Sequence, residues 1–279
     1  MTKQEYIKYE VEIETNESGK EVSAISYPVF VELREGRNIE FVINRGQVLI
    51  NKEQSSNAVD QCVDYSSKCI FPIRVLNTNE NLAVKNTAEI SKRWDSLKND
   101  LQLRFEGEFV DILMRQMDEM MESPDALQAA IFSDIFFQVY FLPMLISIPR
   151  VNKNTMQYFT LVNNSPAVKF DTEIEIETAG DTKLISVEGK CADARSFEDI
   201  VYSKITPTGN ERDEASCEGE LELEYKIGAE DGIIESVNGY MFLSDANGEM
   251  IRTSIKIECE DNADLTEKDF EPFVKPFKH

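Results

Sequence analysis

The stretch that decides the fold runs from Asn86 to Leu145 and reads NTAEISKRWDSLKNDLQLRFEGEFVDILMRQMDEMMESPDALQAAIFSDIFFQVYFLPML. It is the one long run of this chain with helical periodicity. Its first apolar positions, spaced four, three and four residues apart, are Ile90, Trp94, Leu97 and Leu101. This spacing places them on one side of a helix. Asn86 and Glu89 form a capping-box pattern, so we predict a side-chain cap at Asn86 and a helix end near Gly107.

Two further helices are predicted downstream. The first covers Glu108 to Glu122, and the second begins at Ser123, which is followed by proline at the first helical position. The chain then stays apolar as far as Ile148, over nearly the length of about 20 residues that crosses a membrane. The polar residues and the proline within this run are Gln128, Asp134, Gln138 and Pro143. They favour a helix buried in a large core, with an apolar surface or a membrane span as the alternatives.

Two groups of side chains in these helices are candidate sites. The first is Met-rich and comprises Met117, Met120 and Met121; the second is aromatic and comprises Phe132, Phe136 and Tyr140. Methionine repacks easily, so the first group could form an adaptable groove for an apolar ligand or a partner. Core filling is the favoured interpretation of both groups, and a ligand or partner surface is the alternative. Asp134, the one formal charge of the last helix, is interpreted as a backbone cap or an exposed residue, with a buried functional carboxylate as the alternative.

Both flanks of the helical stretch have the alternation of half-buried strands. Apolar residues at Ile7, Tyr9, Val11 and Ile13 alternate with charged ones, and the same pattern recurs from Leu221 to Ile227. Such alternation gives a sheet with one solvent-exposed face and one buried face, which is typical of antiparallel sheet. We therefore predict an α+β protein in which mainly antiparallel sheet segments flank and pack on a central group of two to three helices. The segments are residues 1–84, 85–148 and 149–279, in one compact unit or, alternatively, two subdomains.

Several local assignments complete this prediction. Residues 39–43 and 47–50 are expected to pair tightly around Asn44-Arg45-Gly46, while residues 51–67 are polar and receive no assignment. A short helix is expected near residues 196–205. Asp245-Ala246-Asn247-Gly248-Glu249 superficially resembles a calcium-binding loop, but the motif's Asp spacing and distal Glu are missing, so we predict a hairpin turn.

The charge of the chain restricts its partners. There are 52 acidic and 29 basic residues, for a net charge of −23. Contacts to nucleic-acid phosphates and to anionic membrane surfaces both require basic patches, so neither partner is expected. The remaining interpretations are an acidic solvated surface, a docking face for a basic protein, and mimicry of nucleic acid.

The residue inventory excludes several catalytic chemistries. His279 is the one histidine, so histidine-based nucleophilic, acid–base and zinc chemistry are not expected in the folded body. We find no Cys-x-x-Cys pair and no glycine-rich nucleotide loop, and predict neither a metal nor a cofactor. Five cysteines with irregular spacing favour reduced thiols, with a Cys62–Cys69 bridge as the alternative. With no secretory leader at the N-terminus, a cytoplasmic location is expected, or export after removal of a leader.

No family is identified by motif, but the order of the elements resembles that of half-barrel carriers of apolar molecules, such as the periplasmic lipoprotein carriers. Fold does not imply function. The sequence favours a soluble, non-catalytic, acidic binding or protein-interaction protein. The first alternative is a carrier whose apolar cavity is lined by the sheet and by residues 131–142. The second is a carboxylate-dependent hydrolase, for which no pair of acidic residues stands out.

Overall fold

The computed structural model describes residues 6–34, 36, 38–78, 81–146, 154–161, 165–202 and 217–260; His279 lies outside them. The chain divides into two compact units. Unit 1 comprises Met1–Glu10, Ile25–Ile131 and Cys259–His279, and unit 2 comprises Val11–Ala24 and Phe132–Glu258. Each unit is therefore assembled from segments that are distant in sequence.

Within the described residues there are twelve strands and six helices. The strands are Tyr6–Glu17 (β1), Ser23–Arg34 (β2), Ile39–Arg45 (β3), Leu49–Ile50 (β4), Ile73–Asn77 (β5), Leu82–Val84 (β6), Asn154–Phe159 (β7), Val168–Ala179 (β8), Thr182–Cys191 (β9), Glu218–Gly228 (β10), Ile234–Ser244 (β11) and Met250–Glu260 (β12). The helices are Ala58–Ser67 (α1), Thr87–Arg104 (α2), Glu108–Met121 (α3), Pro124–Ser133 (α4), Ile135–Ile146 (α5) and Phe197–Val201 (α6).

The predicted α+β class with mainly antiparallel sheet is confirmed, but the predicted arrangement is wrong. The described strands before and after the main helices belong to one antiparallel sheet, so the helices are not a central group flanked by sheets. The physical reason is that β1 lies between β2 and β12 in the strand order. The backbone groups along both edges of β1 are thereby paired, which joins the two β segments.

The sheet of unit 2 has the alternation that the sequence predicts. Its strands follow the order β12-β11-β10-β9-β8-β7. The covered face of the central strands carries Leu221, Leu223, Tyr225, Val237, Met241, Ile251, Ile255 and Ile257, all buried. Acidic side chains alternate with them on the other face, as the burial patterns of β8 and β10 illustrate. Strands β8 and β9 form a hairpin, with Ala179 opposite Thr182.

The predicted hairpin within residues 39–50 is wrong. β4 pairs with β2, placing Ile50 opposite Ile25, rather than folding back on β3. Between β3 and β4, the Gly46 N–H donates to the Pro28 carbonyl at 2.7 Å. A Cβ atom at Gly46 would lie 2.4 Å from the Pro28 ring. Glycine thus allows the chain to pass close to β2 and to continue along it.

Helix α1 occupies part of the polar stretch that received no assignment. Asn57 caps it by accepting a hydrogen bond from the Val59 N–H at 2.9 Å. Only Cys62 and Ser66 of this helix are buried. Val59 and Val63 are exposed, so most of this short helix faces solvent, in keeping with the polar composition of the stretch.

Helix α2 is confirmed, and all four residues of its predicted stripe are buried. The predicted side-chain cap at Asn86 is wrong. The Asn86 side chain instead accepts from the Arg74 N–H and donates to the Pro72 carbonyl, both at 2.9 Å. Asn86 is buried, so its amide satisfies backbone groups of the adjoining strand rather than those of its own helix.

The apolar run after Ser123 forms two helices because Asp134 starts a new one. Its carboxylate accepts from the Phe136 N–H at 2.9 Å, which confirms its interpretation as a backbone cap. In the part of the chain that the structure describes, no single helix is long and apolar enough to cross a membrane. The bent pair α4 and α5 reaches that length and composition only when both are taken together.

Arg93 fastens α2 to the chain that precedes β5. Its guanidinium donates to three carbonyl oxygens, of Cys69 at 2.7 Å and of Ile70 and Pro72 at 3.0 Å. Burial lowers the pKa of Arg93 from its ordinary value. One half-buried cation thus satisfies three acceptors of an irregular segment, of which the Pro72 carbonyl also accepts from Asn86.

We expect Arg93→Met to lower the free energy of unfolding by about 2 kcal/mol or more, because carbonyl acceptors lose their donor while the apolar stem is kept. Urea denaturation followed by circular dichroism measures this. Lys92→Met is the matched control, since Lys92 is exposed and should change stability by less than about 0.5 kcal/mol. Equal losses in the two variants would contradict the fastening role of Arg93.

Candidate functional site

Three helices of unit 1 form a layer with two buried clusters. The first cluster joins Cys62 of α1, Leu101 of α2 and Val110 of α3. The second joins Cys69, Trp94 and Leu97, and is covered on one side by Met114, Met117 and Met121 of α3. Trp94 is 1% exposed and is therefore part of the core. Helix α3 is therefore the outer wall of both clusters.

The apolar face of α3 is only partly covered. Val110 is its one buried residue. Phe109 and Ile112 are 38% and 36% exposed. The half-buried apolar residues are Leu113, Met114, Met117, Met120 and Met121. By contrast, α2 buries a complete stripe, so the interface beside α3 is the less sealed part of this helical layer.

One polar group fixes the orientation of α3. The Trp94 indole N–H donates to the Asp118 carboxylate at 2.7 Å, and the Lys98 ammonium lies 3.2 Å from the same oxygen. The hydrogen bond from Trp94, followed by that from Lys98, lowers the pKa of Asp118 below its usual 3.8. Because Asp118 follows Met117, this bond holds the methionine face toward Trp94.

The aromatic group of candidates lies in unit 2 and is packed within α4 and α5. Phe136 lies 5.3 Å from Tyr140 and 5.2 Å from Phe137, measured between ring centroids. Phe132 meets the edges of Phe137 and Phe141 at 6.5 and 6.2 Å. Phe136 and Tyr140 are buried, whereas Phe132 is half-buried. The six candidate residues are thus divided between the two units.

Two polar contacts anchor α5 within unit 2. The buried Tyr225 hydroxyl on β10 donates to the Val139 carbonyl at 3.1 Å. The Gln138 side chain accepts from the Thr160 N–H at 2.9 Å. A tyrosine on the covered sheet face and a residue after β7 therefore both contact α5, whose remaining exposed surface is small because nine of its residues are buried.

The outer face of the unit 2 sheet is the second candidate surface. Strand register places Glu173 opposite Glu188, and Glu188 opposite Glu222. Side chains that face each other across strands are about 5 Å apart at Cβ, so this row concentrates like charges. Glu222 is in turn opposite Tyr240. Arg252 lies over the Tyr240 ring at 4.1 Å and is a nearby counter-charge.

Two open grooves of about 370 and 440 Å³ cross this acidic face and share Glu222 and Tyr240. The smaller is also lined by Glu12, Glu14, Glu224, Asn238 and Lys256, and the larger by Asp171, Glu173, Glu188, Lys190 and Glu220. The alternation of acidic and apolar residues in the sequence indicates that this face is acidic. The sequence of one strand does not show which carboxylates lie beside those of the next strand. That depends on register.

The described residues contain no group of three or more His, Cys, Asp or Glu side chains arranged to hold a metal ion. The loop at Asp245 is a hairpin turn, as predicted. The Asp245 carboxylate accepts from the backbone N–H groups of Asn247 and Glu249 at 2.9 and 2.8 Å. Its oxygens are thus used to close the β11–β12 connection.

No family model matches the sequence, and a search of curated proteins finds no significant match. Among solved structures, a lipovitellin described for its lipid–protein interactions aligns with 92% of this chain and 25% of its own, at 8% identity and a TM-score of 0.43. The chain thus spans a quarter of lipovitellin. These values establish no shared function.

Two smaller structures also align along most of this chain. A LolA superfamily protein from Nitrosomonas europaea is 12% identical, with 98% of this chain and 91% of its own covered and a TM-score of 0.17. An outer membrane lipoprotein-sorting protein domain from Vibrio parahaemolyticus is 8% identical, with 97% and 91% covered and a TM-score of 0.22. Neither value supports an argument about this chain.

Asp118 gives the helical layer a measurable acid response. Folding lowers the pKa of Asp118 below its unfolded value of 3.8. The ionised carboxylate therefore stabilises the fold above pH 3.8, and this stabilisation is lost as the pH falls through the pKa of the folded state. We expect Trp94 fluorescence to titrate with a midpoint below 3.8. Asp118→Asn should abolish this titration, while Asp95→Asn, at the 70%-exposed partner of Lys98, should retain it. An unchanged titration in Asp118→Asn would show that another group is responsible.

Proposed function

We propose that this protein is a non-catalytic carrier of an apolar small molecule, which inserts between α3 and the Trp94 cluster. The observation that carries this proposal is the half-covered, methionine-rich face of α3. An amphipathic helix normally buries its apolar stripe, yet Val110 is the one buried residue of α3. A ligand in this interface would bury the surface that the folded chain leaves exposed.

Methionine makes such an insertion feasible. Its side chain is unbranched and polarizable, so Met114, Met117 and Met121 can repack around a ligand without rearranging the backbone. Phe109 and Ile112 are the exposed apolar residues of α3 from which a chain-like molecule would enter. Burial contributes roughly 0.8 kcal/mol for each methylene group, so a few methylenes suffice for measurable affinity.

The site is placed on α3 rather than on α5. The rings of α5 stack on one another and most of its residues are buried, so a ligand would have to displace well-packed aromatic contacts. The predicted role of Phe132, Phe136 and Tyr140 in a cavity stays a prediction. So does the cytoplasmic location, with export as its alternative.

The single tryptophan provides the test. Bromine quenches tryptophan fluorescence on contact, so titration with a dibrominated fatty acid should quench Trp94 saturably. Native mass spectrometry of the gently purified protein, repeated after organic extraction, would detect a natural ligand as an adduct that extraction removes. A clean mass together with no saturable quenching by several brominated chain lengths would overturn the proposal.

Variants locate the binding site. Met117→Gln adds polar atoms to the wall facing Trp94 and should weaken binding of the brominated fatty acid by about tenfold, or roughly 1.4 kcal/mol. Met156→Gln is the matched control, because Met156 is 47% exposed on β7 of the other unit. Equal affinities for the two variants would show that the ligand does not bind at α3.

A second candidate function is docking of a basic protein on the outer face of the unit 2 sheet. The observation favouring it is the row Glu173–Glu188–Glu222, in which like charges face each other across neighbouring strands. Such pairs cost stability in the isolated chain. A cationic segment in the adjoining grooves would offset that repulsion, and the attraction would fall steeply with salt.

For this candidate, we expect a lysine-rich peptide to bind at low salt, with several-fold weaker binding when ionic strength is raised to about 0.15 M. Glu222→Gln, within both grooves, should weaken binding more than Glu177→Gln, which removes the same charge from an exposed position near the end of β8. Isothermal titration calorimetry measures both variants. Equal effects would indicate attraction to net charge rather than docking in the grooves.

A further inference from the structure

Two cysteines are brought together where β9 ends and β10 begins. Cys191 is the last residue of β9, and Cys217 immediately precedes β10. The antiparallel register pairs Gly189 with Leu221 and Lys190 with Glu220, so Cys191 comes next to Gly219. A Cβ atom at Gly219 would lie 3.2 Å from the Cys191 Cβ. Cys217, two residues before Gly219, lies on the same side of the sheet. Its thiol donates to the Glu218 carbonyl at 3.7 Å and also has the Cys191 thiol as a hydrogen-bond partner.

The two thiols of this pair have different surroundings. Cys217 is buried at 6% exposure, whereas Cys191 is half-buried and so reachable from solvent. Beside Cys191, the Arg195 guanidinium donates to Asp193 at 2.9 and 2.6 Å and to the Ala167 carbonyl. The ion pair of Arg195 with Asp193 therefore lies close to the more exposed of the two thiols.

The chemistry of the pair follows from these contacts. The hydrogen bond from Cys217, together with that from the Asp193 N–H, lowers the pKa of Cys191 to about 7, against the opposing effect of burial. The Asp193 carboxylate raises this pKa and the paired Arg195 guanidinium lowers it, so their charges largely offset each other. The same contact with Cys191, together with burial, raises the pKa of Cys217. A partly exposed thiolate next to a buried thiol is the arrangement of an attacking and a resolving cysteine.

We propose that Cys191 and Cys217 form a reversible disulfide by exchange with a low-molecular-weight disulfide such as oxidised glutathione. The Cys191 thiolate attacks one sulfur of that molecule, forming a mixed disulfide and releasing the first small thiolate. Cys217 then gives up its proton and attacks the Cys191 sulfur, and the second small thiol leaves. Two protein thiols are oxidised and one small disulfide is reduced to two thiols.

The bond would link the two ends of residues 192–216. The described part of this segment contains α6. Phe197 and Ile200 of this helix are buried, and the Ser196 side chain caps its first turn. Since Gly219 has no side chain, no Cβ atom there crowds the Cys191 Cβ. The exchange would therefore close this loop without crowding from the residue that faces Cys191.

Incubation in glutathione buffers of graded ratio, followed by alkylation and peptide mass mapping, tests the proposal. We expect a peptide pair joined through Cys191 and Cys217, a mass loss of two hydrogens, and a Tm higher by about 5 °C, since the bond closes a loop. Cys62 and Cys69, each 1% exposed, serve as internal controls that stay reduced. Stable glutathione adducts on Cys191 with Cys217 still free would overturn the proposal.

Two variants separate the roles of Cys217. Cys217→Ser keeps a hydroxyl donor, so the alkylation rate of Cys191 should still rise with a midpoint near 7, but the mixed disulfide should accumulate because the resolving sulfur is gone. Cys217→Ala removes the donor, so the midpoint should move up toward 9.0. Cys259→Ser is the matched control and should behave as the unmodified chain. If all three variants formed the same products at the same rates, the pair would have no role.

Discussion

The helical layer of unit 1 depends on how Arg93 and Asn86 satisfy the backbone before β5. Arg93 donates to three carbonyl oxygens, and Asn86 bonds to the backbone on both sides of Ile73. An irregular segment can be covered by a helix only if its polar groups keep partners. Because Arg93 lies on α2 and Asn86 immediately precedes it, the same contacts fix the position and rotation of its apolar stripe. Trp94 is thereby buried, and α3 packs against it.

The two helical regions solve the problem of burying apolar surface in opposite ways. Helix α5 is apolar on all sides and is enclosed, with aromatic rings in edge and stacked contacts. Helix α3 is amphipathic, and its flexible methionines remain partly in contact with water. Rigid rings in a sealed core favour one packing, whereas unbranched side chains in an open interface permit several. For this reason the proposed ligand site lies in the helical layer of unit 1, although the sequence of α5 is the more apolar.

Features that depend on the local spacing of apolar residues could be predicted from the sequence, whereas features that depend on contacts between distant residues could not. The stripe of α2 and the alternation of β10 both follow from local spacing, and both were correct. Asn86 does not cap its helix because an outside acceptor and donor compete for its amide. The pairing of β4 with β2 depends on Gly46 passing Pro28. Helix α1 lies in a polar stretch and leaves Val59 and Val63 exposed, so its few apolar residues do not form a core stripe. Helical spacing identified the methionine face among the candidate residues. It did not show that the methionine and aromatic groups lie in different units, because that depends on the folded chain.

The acidic outer face of the unit 2 sheet affects how closely two copies of the protein can approach each other. Flat sheet faces can stack on one another about 10 Å apart when their side chains permit it. Rows such as Glu173, Glu188 and Glu222 place several negative charges where a second copy would have to approach. The range of that repulsion is the Debye length, about 10 Å at 0.1 M salt and about 3 Å at 1 M. The same carboxylates that cost the single chain some stability therefore oppose face-to-face stacking of two copies in dilute salt.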